Sequence, residues 1–414
     1  MGNYFNKMSN KVRDESFSID LPLSNIVLTR YLYLKDEVKL AFLVSLLNKS
    51  DDAIFWAYEL YYSGFKMEFY NYIWQIYYDF FATLNPSFEQ YLNKMLKCNN
   101  KTEDKLVSTI VQDLLIRPFN TDIFFLRTIC SLFEIECSFI SITNTGNTLL
   151  NSTSILYEQL TKWIDDKDFK SIAQYILNIV TLDTSDKVLY FIYSGAIDVF
   201  ADIYKVKLSK TKLLKEFGVA QERIDNNFGK KILLLVKIMT MFSLKEKLVK
   251  GKNFYIVVDP EDIIQYETIE ATSIRHYKVL DVARICGIDD LKHLSLFRLE
   301  RETLKGIILK DLYFNNWLYH ASFSPVWFNR IKKYRGYVDY TKMLVEFVNE
   351  DMMQLFYDKY GYEPDEQSQN TTDKCLKHND GINWTAFHNN FKTNSLFLID
   401  EEFIEELNND KIWY

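Results

Sequence analysis

The sequence predicts a mostly α-helical protein: a helical bundle or helical-hairpin array with a smaller mixed α+β C-terminal part. Three observations carry that expectation. Only 12 glycines and 6 prolines occur in 414 residues, whereas sandwiches, barrels and Gly-rich nucleotide folds need these residues at their many turns. Apolar residues recur at helical spacing through much of the first two-thirds, the mark of amphipathic helices. Short β-branched and aromatic runs bounded by polar breaks lie in the last third, where they read as strands. Hydrophobic content of 48% with 25% charged residues belongs to a chain with a large core, and the length calls for two or three domains. The divisions read as a loose N-terminal tail (1–20), an aromatic-rich helical domain (21–142), a helical domain with a basic stretch (154–250) and a mixed domain (251–414) with an acidic end.

Along the chain, Ser50 or Asp51 caps a helix whose Ala53, Trp56, Ala57 and Leu60 share one face. Ser63-Gly64 breaks it, because Gly accepts the positive φ of a helix end. A second helix places Phe69, Tyr72, Ile73, Ile76, Tyr77 and Phe80 on one stripe before Asn85-Pro86, and Ser87 with Gln90 forms a capping box for a third. The Asn-, Thr- and Ser-rich segment 143–153 reads as a linker. Helical periodicity resumes over 156–180 and again over 188–200. After Lys250 the pattern changes. Residues 254–258 read as a strand closed by Asp259-Pro260; 336–339 and 343–347 read as a hairpin; Asn349 then caps a helix ending at Tyr360-Gly361.

Little in the sequence points to catalysis. Residues 1–20 are polar, without a secretory pattern, and Asn6 stands where a myristoylation signal wants Ser or Thr. No window approaches the roughly 18 apolar residues of a membrane span. Five scattered cysteines read as reduced thiols in an intracellular protein. There is no phosphate-binding loop, dinucleotide fingerprint, nucleophile elbow or zinc-protease motif. Cys375 and His378 make a half-site, with His388 further on, but the spacing fits no standard zinc module and reads as a polar loop. No metal and no cofactor is therefore expected. Asp165, Asp166 and Asp168 read as solvated acids at a helix start. His276, His293 and His320 have no visible nucleophile beside them.

Charge is the sharpest anomaly. Residues 205–252 hold thirteen Lys/Arg against four Asp/Glu, in a chain of net charge −7. Lys205, Lys207, Lys210, Lys212 and Lys215 open this stretch. A second cluster, Arg330, Lys332, Lys333 and Arg335, is interleaved with aromatics in WFNRIKKYR. Phosphates attract cations and unstacked bases attract aromatic faces, so both clusters are candidate nucleic-acid contacts. The competing reading is a solvated helix face with its aromatics turned inward. Six acids between Asp400 and Asp410 suit a segment that folds back on a basic face or docks a basic partner.

Four strings, FWAYELYYSGF (55–65), YNYIWQIYYDFFATLNP (70–86), ASFSPVWFNRIKKY (321–334) and FYDKYGYEPDEQ (356–367), resemble an uncharacterised protein family of the nucleocytoplasmic large DNA viruses, the mimivirus-like giant viruses. The resemblance carries over no functional residue. It implies a viral protein at work in the host cytoplasm, in a viral factory, or in the virion. Within the last string, Gly361 ends a helix and Pro364 extends the chain, so that Tyr362, Asp365, Glu366 and Gln367 are presented on a stiffened segment. They form either an internal clasp on Arg330, Lys332, Lys333 or Arg335, or a docking element for another viral protein. The expected function is a non-catalytic scaffold or adaptor; the alternative is an RNA- or DNA-associated factor using the two basic clusters, and a third reading is an enzyme without a linear motif.

Overall fold

In a computed structural model, the chain is described at residues 27–97, 103–132, 148–178, 186–249, 255–256, 258–259, 261–267, 316–360, 384–397, 399 and 404. Its regular elements there are almost all helical, with one two-stranded antiparallel sheet. The aromatic strings form the first layer. Helices α1 (Lys35–Leu47) and α2 (Asp52–Tyr62) are joined by a four-residue connection and pack along each other. Asp51 stands at the N-cap of α2, and Ser50 before it accepts the Asp52 N–H on its Oγ at 3.3 Å. Gly64, at φ +96°, ends the turn after α2, and α3 (Lys66–Ile76) begins. Trp56, Leu60, Ile73, Ile76 and Phe80 are buried in one hydrophobic cluster, as their spacing predicts. Tyr72 is half-buried, and its hydroxyl donates to the Lys39 carbonyl at 2.9 Å.

Helix α3 does not simply stop. It widens into a π-helical turn, Tyr77–Phe81, in which all five side chains are buried. The wider turn redistributes the side chains, so neighbouring layers meet it: α3 and α6 (Asp122–Leu132) on one hand and α11 (Asn227–Lys245) on the other. Between them in sequence lie α4 (Phe88–Lys97) and α5 (Glu103–Leu115), the latter packed on α2. The Gln90 side chain, expected in a capping box, instead reaches Glu216 at 3.4 Å.

The second layer is α7 (Thr148–Asp165), α8 (Phe169–Asn178), α9 (Asp186–Tyr204), α10 (Lys210–Gln221) and α11. Residues 148–153, expected in a linker, belong to α7. The helix penalty of Asn, Ser and Thr is only several tenths of a kcal/mol each, too small to stop a helix that continues for eighteen residues. The periodicity over 156–180 divides into two helices at 166–168, where Lys167 adopts φ +54°. Asp168 caps α8, accepting the Ser171 N–H at 3.0 Å and its hydroxyl at 2.6 Å; of the three acids only this one sits at a helix start, since Asp165 ends α7 and Asp166 lies in the turn after it. Helix α11 is buried from Ile232 to Ser243 apart from Lys237 and packs on α6, α8, α9 and α10. One hydrophobic cluster runs through both layers, from Tyr31 to Ile404.

The short helix α12 (Glu261–Glu267) rests on α2 and α5. The run before it is not a strand at its described residues. The Ile256 N–H donates to the Asp113 carboxylate at 3.1 Å, and the Tyr255 ring lies 3.9 Å from that of Tyr91. A side-chain acceptor has taken the donor that a β-ladder would use. The C-terminal module comprises α13 (Trp317–Ala321), α14 (Pro325–Lys333), β1 (Gly336–Asp339), β2 (Leu344–Phe347) and α15 (Glu350–Tyr360). The hairpin pairs Gly336 with Phe347 and Asp339 with Leu344, and Asn349 caps α15 through the Met352 N–H at 2.9 Å. Its own core joins Trp327, Ile331 and Phe356 to Leu28, Leu32 and Leu34 of the strap before α1. No helix among the described residues is long and apolar enough to cross a membrane.

This module is keyed to the first layer at Gly64. The Val326 N–H donates to the Ser63 carbonyl at 3.2 Å, and Trp327 Nε1 donates to the Thr29 carbonyl at 2.9 Å. A Cβ on Gly64 would stand 2.5 Å from Pro325 Cβ. Gly64→Ala therefore meets both a positive φ and a steric block, and should cost upwards of about 1 kcal/mol in denaturant unfolding while raising proteolysis at 316–360. Trp56→Ala should cost roughly 3–5 kcal/mol through lost burial and a cavity. Equilibrium unfolding in urea checks both values; a loss near zero for Trp56→Ala would remove it from the core.

Candidate interaction surface

Most buried charges in the described structure are consumed by architecture. Glu89 of α4 is nearly fully buried and takes charge-assisted bonds from Arg223 and Lys237, with the Tyr78 hydroxyl donating to it at 2.9 Å. Arg223 also lies 4.7 Å over the Trp74 ring. Burial alone would raise the Glu89 carboxyl, but Lys237 and Arg223 outweigh it and hold it below its usual value. Asp79 and Arg127 form a bidentate pair at 2.8 and 2.7 Å. Arg30 donates to Glu59 at 2.8 Å and to the Tyr266 carbonyl at 2.9 Å.

The first basic stretch is largely spoken for in the same way. Lys210 pairs with Asp198 at 2.5 Å, Lys230 with Asp186 at 2.5 Å and Lys245 with Glu246 at 3.4 Å. Lys231 donates to the Leu177 carbonyl at 3.0 Å. Lys205, Lys207, Lys212 and Lys215 remain exposed around the junction of α9 and α10, Lys212 with a loose contact to Glu216 at 3.9 Å. A sequence count of cations overstates the field here, because helices from distant positions bring the neutralising acids.

The second cluster divides by position on α14. Arg330 is half-buried, its guanidinium 4.5 Å from the Trp327 ring and 4.9 Å from that of Tyr360. Lys332, Lys333 and Arg335 are exposed at the C-terminal end, where cations complement the helix dipole. Arg335 takes φ +57°. The residue that could adopt this conformation freely, Gly336, stands next to it because a Cβ there would meet Ile331 at 2.7 Å and Phe347 at 3.0 Å.

Beyond Gly336 the hairpin turns Val345 and Phe347 toward the module's core and Val338 toward the smaller cluster of Val27, Tyr319 and Phe323. Its other face exposes Tyr337 and Leu344, with Tyr340 and Val348 at its ends and Met353 and Leu355 on α15. Among the described residues, six of the fifteen exposed large apolar side chains fall within 337–355. The same module exposes Lys332, Lys333 and Arg335 on and after α14 and the acids Glu350 and Asp351 at the start of α15. Lys342 is paired locally with Asp339 at 3.4 Å and Glu346 at 2.9 Å. The exposed apolar face of the hairpin was missed in the sequence; the signal was the apolar content of alternate positions, Tyr337 on one strand and Leu344 on the other, where a solvated face wants polar residues.

Tyr362, Asp365, Glu366 and Gln367 lie outside the described residues, as do Cys375, His378, His276 and His293. His320 is buried beside Tyr319 and Phe323, and His388 is buried against the Phe125 ring at 5.3 Å. Among the described residues no group of three or more His, Cys, Asp or Glu is arranged to hold a metal ion. Comparison with protein-family models, curated proteins and solved structures finds no match for this chain.

The Glu89 cluster has a definite pH signature. Its carboxyl is held below the usual value near 4.5, so its stabilising contribution is present above that pH and is lost as pH falls through the lower folded value. Glu89→Gln should cost about 3–5 kcal/mol near neutral pH, because two buried cations lose their counter-charge, and should flatten the acid limb. Urea unfolding from pH 3 to 7 measures both.

Proposed function

We propose that this chain is a non-catalytic scaffold or adaptor whose docking face is the outer surface of the hairpin and α15. The observation that carries this reading is the concentration of exposed apolar side chains at Tyr337, Tyr340, Leu344, Val348, Met353 and Leu355. An apolar centre with a polar rim is the anatomy of a protein interface. The module exposes both signs of charge, Lys332, Lys333 and Arg335 as well as Glu350 and Asp351, which suits a protein partner better than the uniform negative field of a polyphosphate. On the resemblance of its four strings, the partner is another viral protein, met in the host cytoplasm, a viral factory or the virion.

A second reading rests on Lys205, Lys207, Lys212 and Lys215, which stay exposed around one helix junction and could contact nucleic acid through phosphates. Two variants separate the readings. Leu344, Val348 and Leu355 are all exposed, so their joint replacement by Ser should leave unfolding within about 0.5 kcal/mol per site. It should abolish partner recovery by affinity purification from infected cells. Charge reversal at the four lysines should leave that recovery intact. If recovery instead follows the lysines and nuclease abolishes it, the adaptor reading falls and nucleic-acid association takes its place.

A further inference from the structure

The C-terminal segment crosses back onto the first layer. Helix α16 (Trp384–Phe391) buries Phe387 and Phe391. Phe387 stands 5.8 Å from the Phe124 ring and 6.1 Å from Phe125, and Phe391 stands 6.4 Å from Phe119. After the helix, Thr393 and Asn394 donate to the Phe119 carbonyl at 3.4 and 3.5 Å. The Leu396 N–H then donates to Asp122 Oδ2 at 2.9 Å. Asp122 opens α6 and is 1% exposed. Unlike Glu89, Asp79 and Glu59, it has no Lys or Arg partner among the described residues, and its Oδ1 is buried without a hydrogen bond there.

From this geometry we infer that residues 384–397 form a pH-sensitive latch: the segment docks while the Asp122 carboxyl is protonated, and ionisation of that carboxyl, its proton passing to solvent, loosens it. A buried carboxylate without a cation is far costlier than the neutral acid. When the segment lifts, Asp122 regains water and the charge is accommodated. Burial pushes this carboxyl up to about 7, with the Leu396 N–H, the Ser395 hydroxyl and the Phe397 N–H opposing the shift. The docked state therefore holds a proton that the open state has lost, and docking weakens as pH rises toward the docked value and levels off above it.

The surrounding ionisable groups behave differently. On α16, burial and Lys392 hold His388 below 6.5, so its contribution grows with pH up to that value and is constant beyond. On α5, Asp113 and Arg117 pair with each other at 3.1 Å. Lys49, whose Nζ donates to the Leu114 and Arg117 carbonyls, is lowered to about 8 by burial and by Arg117. Arg127 of α6 is held by Asp79. His388 and Lys49 thus favour docking as pH rises, whereas Asp122 opposes it, so the sign of the change separates Asp122 from these neighbours. Release would bare the faces of Phe119, Phe124 and Phe125 that Phe387 and Phe391 cover.

Native-state hydrogen exchange on the full chain tests the latch, with rates corrected for intrinsic base catalysis and α11 as internal reference. The opening constant of the 385–397 amides should rise with pH through the docked value of Asp122 and level off above it, while α11 amides stay level. Asp122→Asn should abolish the rise. Thr393→Val combined with Asn394→Ala should raise opening by a constant factor at each pH and keep the rise with pH, a readout that stands even if Asp122→Asn fails to fold. An opening constant in the unmodified chain that stays level through the docked value of Asp122 would overturn the latch. So would a rise that persists in Asp122→Asn.

Discussion

Glu89 is the point at which the two helical layers are tied together. It comes from α4, and its partners come from the turn after α10 (Arg223), from α11 (Lys237) and from the π-helical turn (Tyr78). A carboxylate and two cations removed from water each carry a large desolvation cost, recovered only when every partner is in place. The cluster therefore discriminates between arrangements more than it adds net stability. A one-turn slip of α11 would displace Lys237 by about 5.4 Å and leave three charges buried without a full complement. The apolar cluster around it is far more tolerant, since Leu, Ile and Phe contacts persist under small shifts. Hydrophobic burial holds the layers together; Glu89 selects the register in which they meet.

The same economy explains how charge is distributed over the surface. Cations that look like a binding stretch in sequence are divided between interior pairing and solvent, with Arg223 and Lys237 inside and Lys205, Lys207, Lys212 and Lys215 outside. In the C-terminal module the division runs along one helix. Arg330 is sandwiched between rings and braces the packing of Trp327 against Tyr360, while Lys332, Lys333 and Arg335 face water. The exposed apolar side chains of the hairpin are thus carried on a rigid base, itself locked onto the first layer through Pro325 and Gly64.

Local features were legible in the sequence because local physics decides them. Gly64 had to accept a positive φ, Asn349 had to cap a helix, and Gly336–Asp339 with Leu344–Phe347 had to pair. Trp56 and Ile73 were bound for the core because no other placement hides so much apolar area. What stayed hidden depends on partners far away in sequence. Ile256 gives its N–H to Asp113, 143 residues distant, so a strand-like run forms no ladder. The Glu89 pairs span 134 and 148 residues, which no reading of charge runs can anticipate. The start of α7 was missed for a different reason: Asn, Ser and Thr are only weak helix breakers. As for the candidate docking face, its residues read as ordinary strand and helix residues until the hairpin shows which of them point outward.

The π-helical turn at Tyr77–Phe81 has an implication for how this chain can vary in length. Its five residues serve different neighbours at once: Tyr77 donates to the Asn85 carbonyl, Tyr78 to Glu89, Asp79 receives Arg127, Phe80 stacks on Phe124, and Phe81 meets Phe119. Removing one residue would restore an ordinary helix and rotate everything on one side by about 100°, so at least one of these attachments would be lost. Adding one would do the same in the other direction. Homologues can therefore exchange side chains of similar size in this segment, but their alignments should pass through it without a gap, making it a natural anchor for finding distant relatives whose loops have drifted beyond comparison.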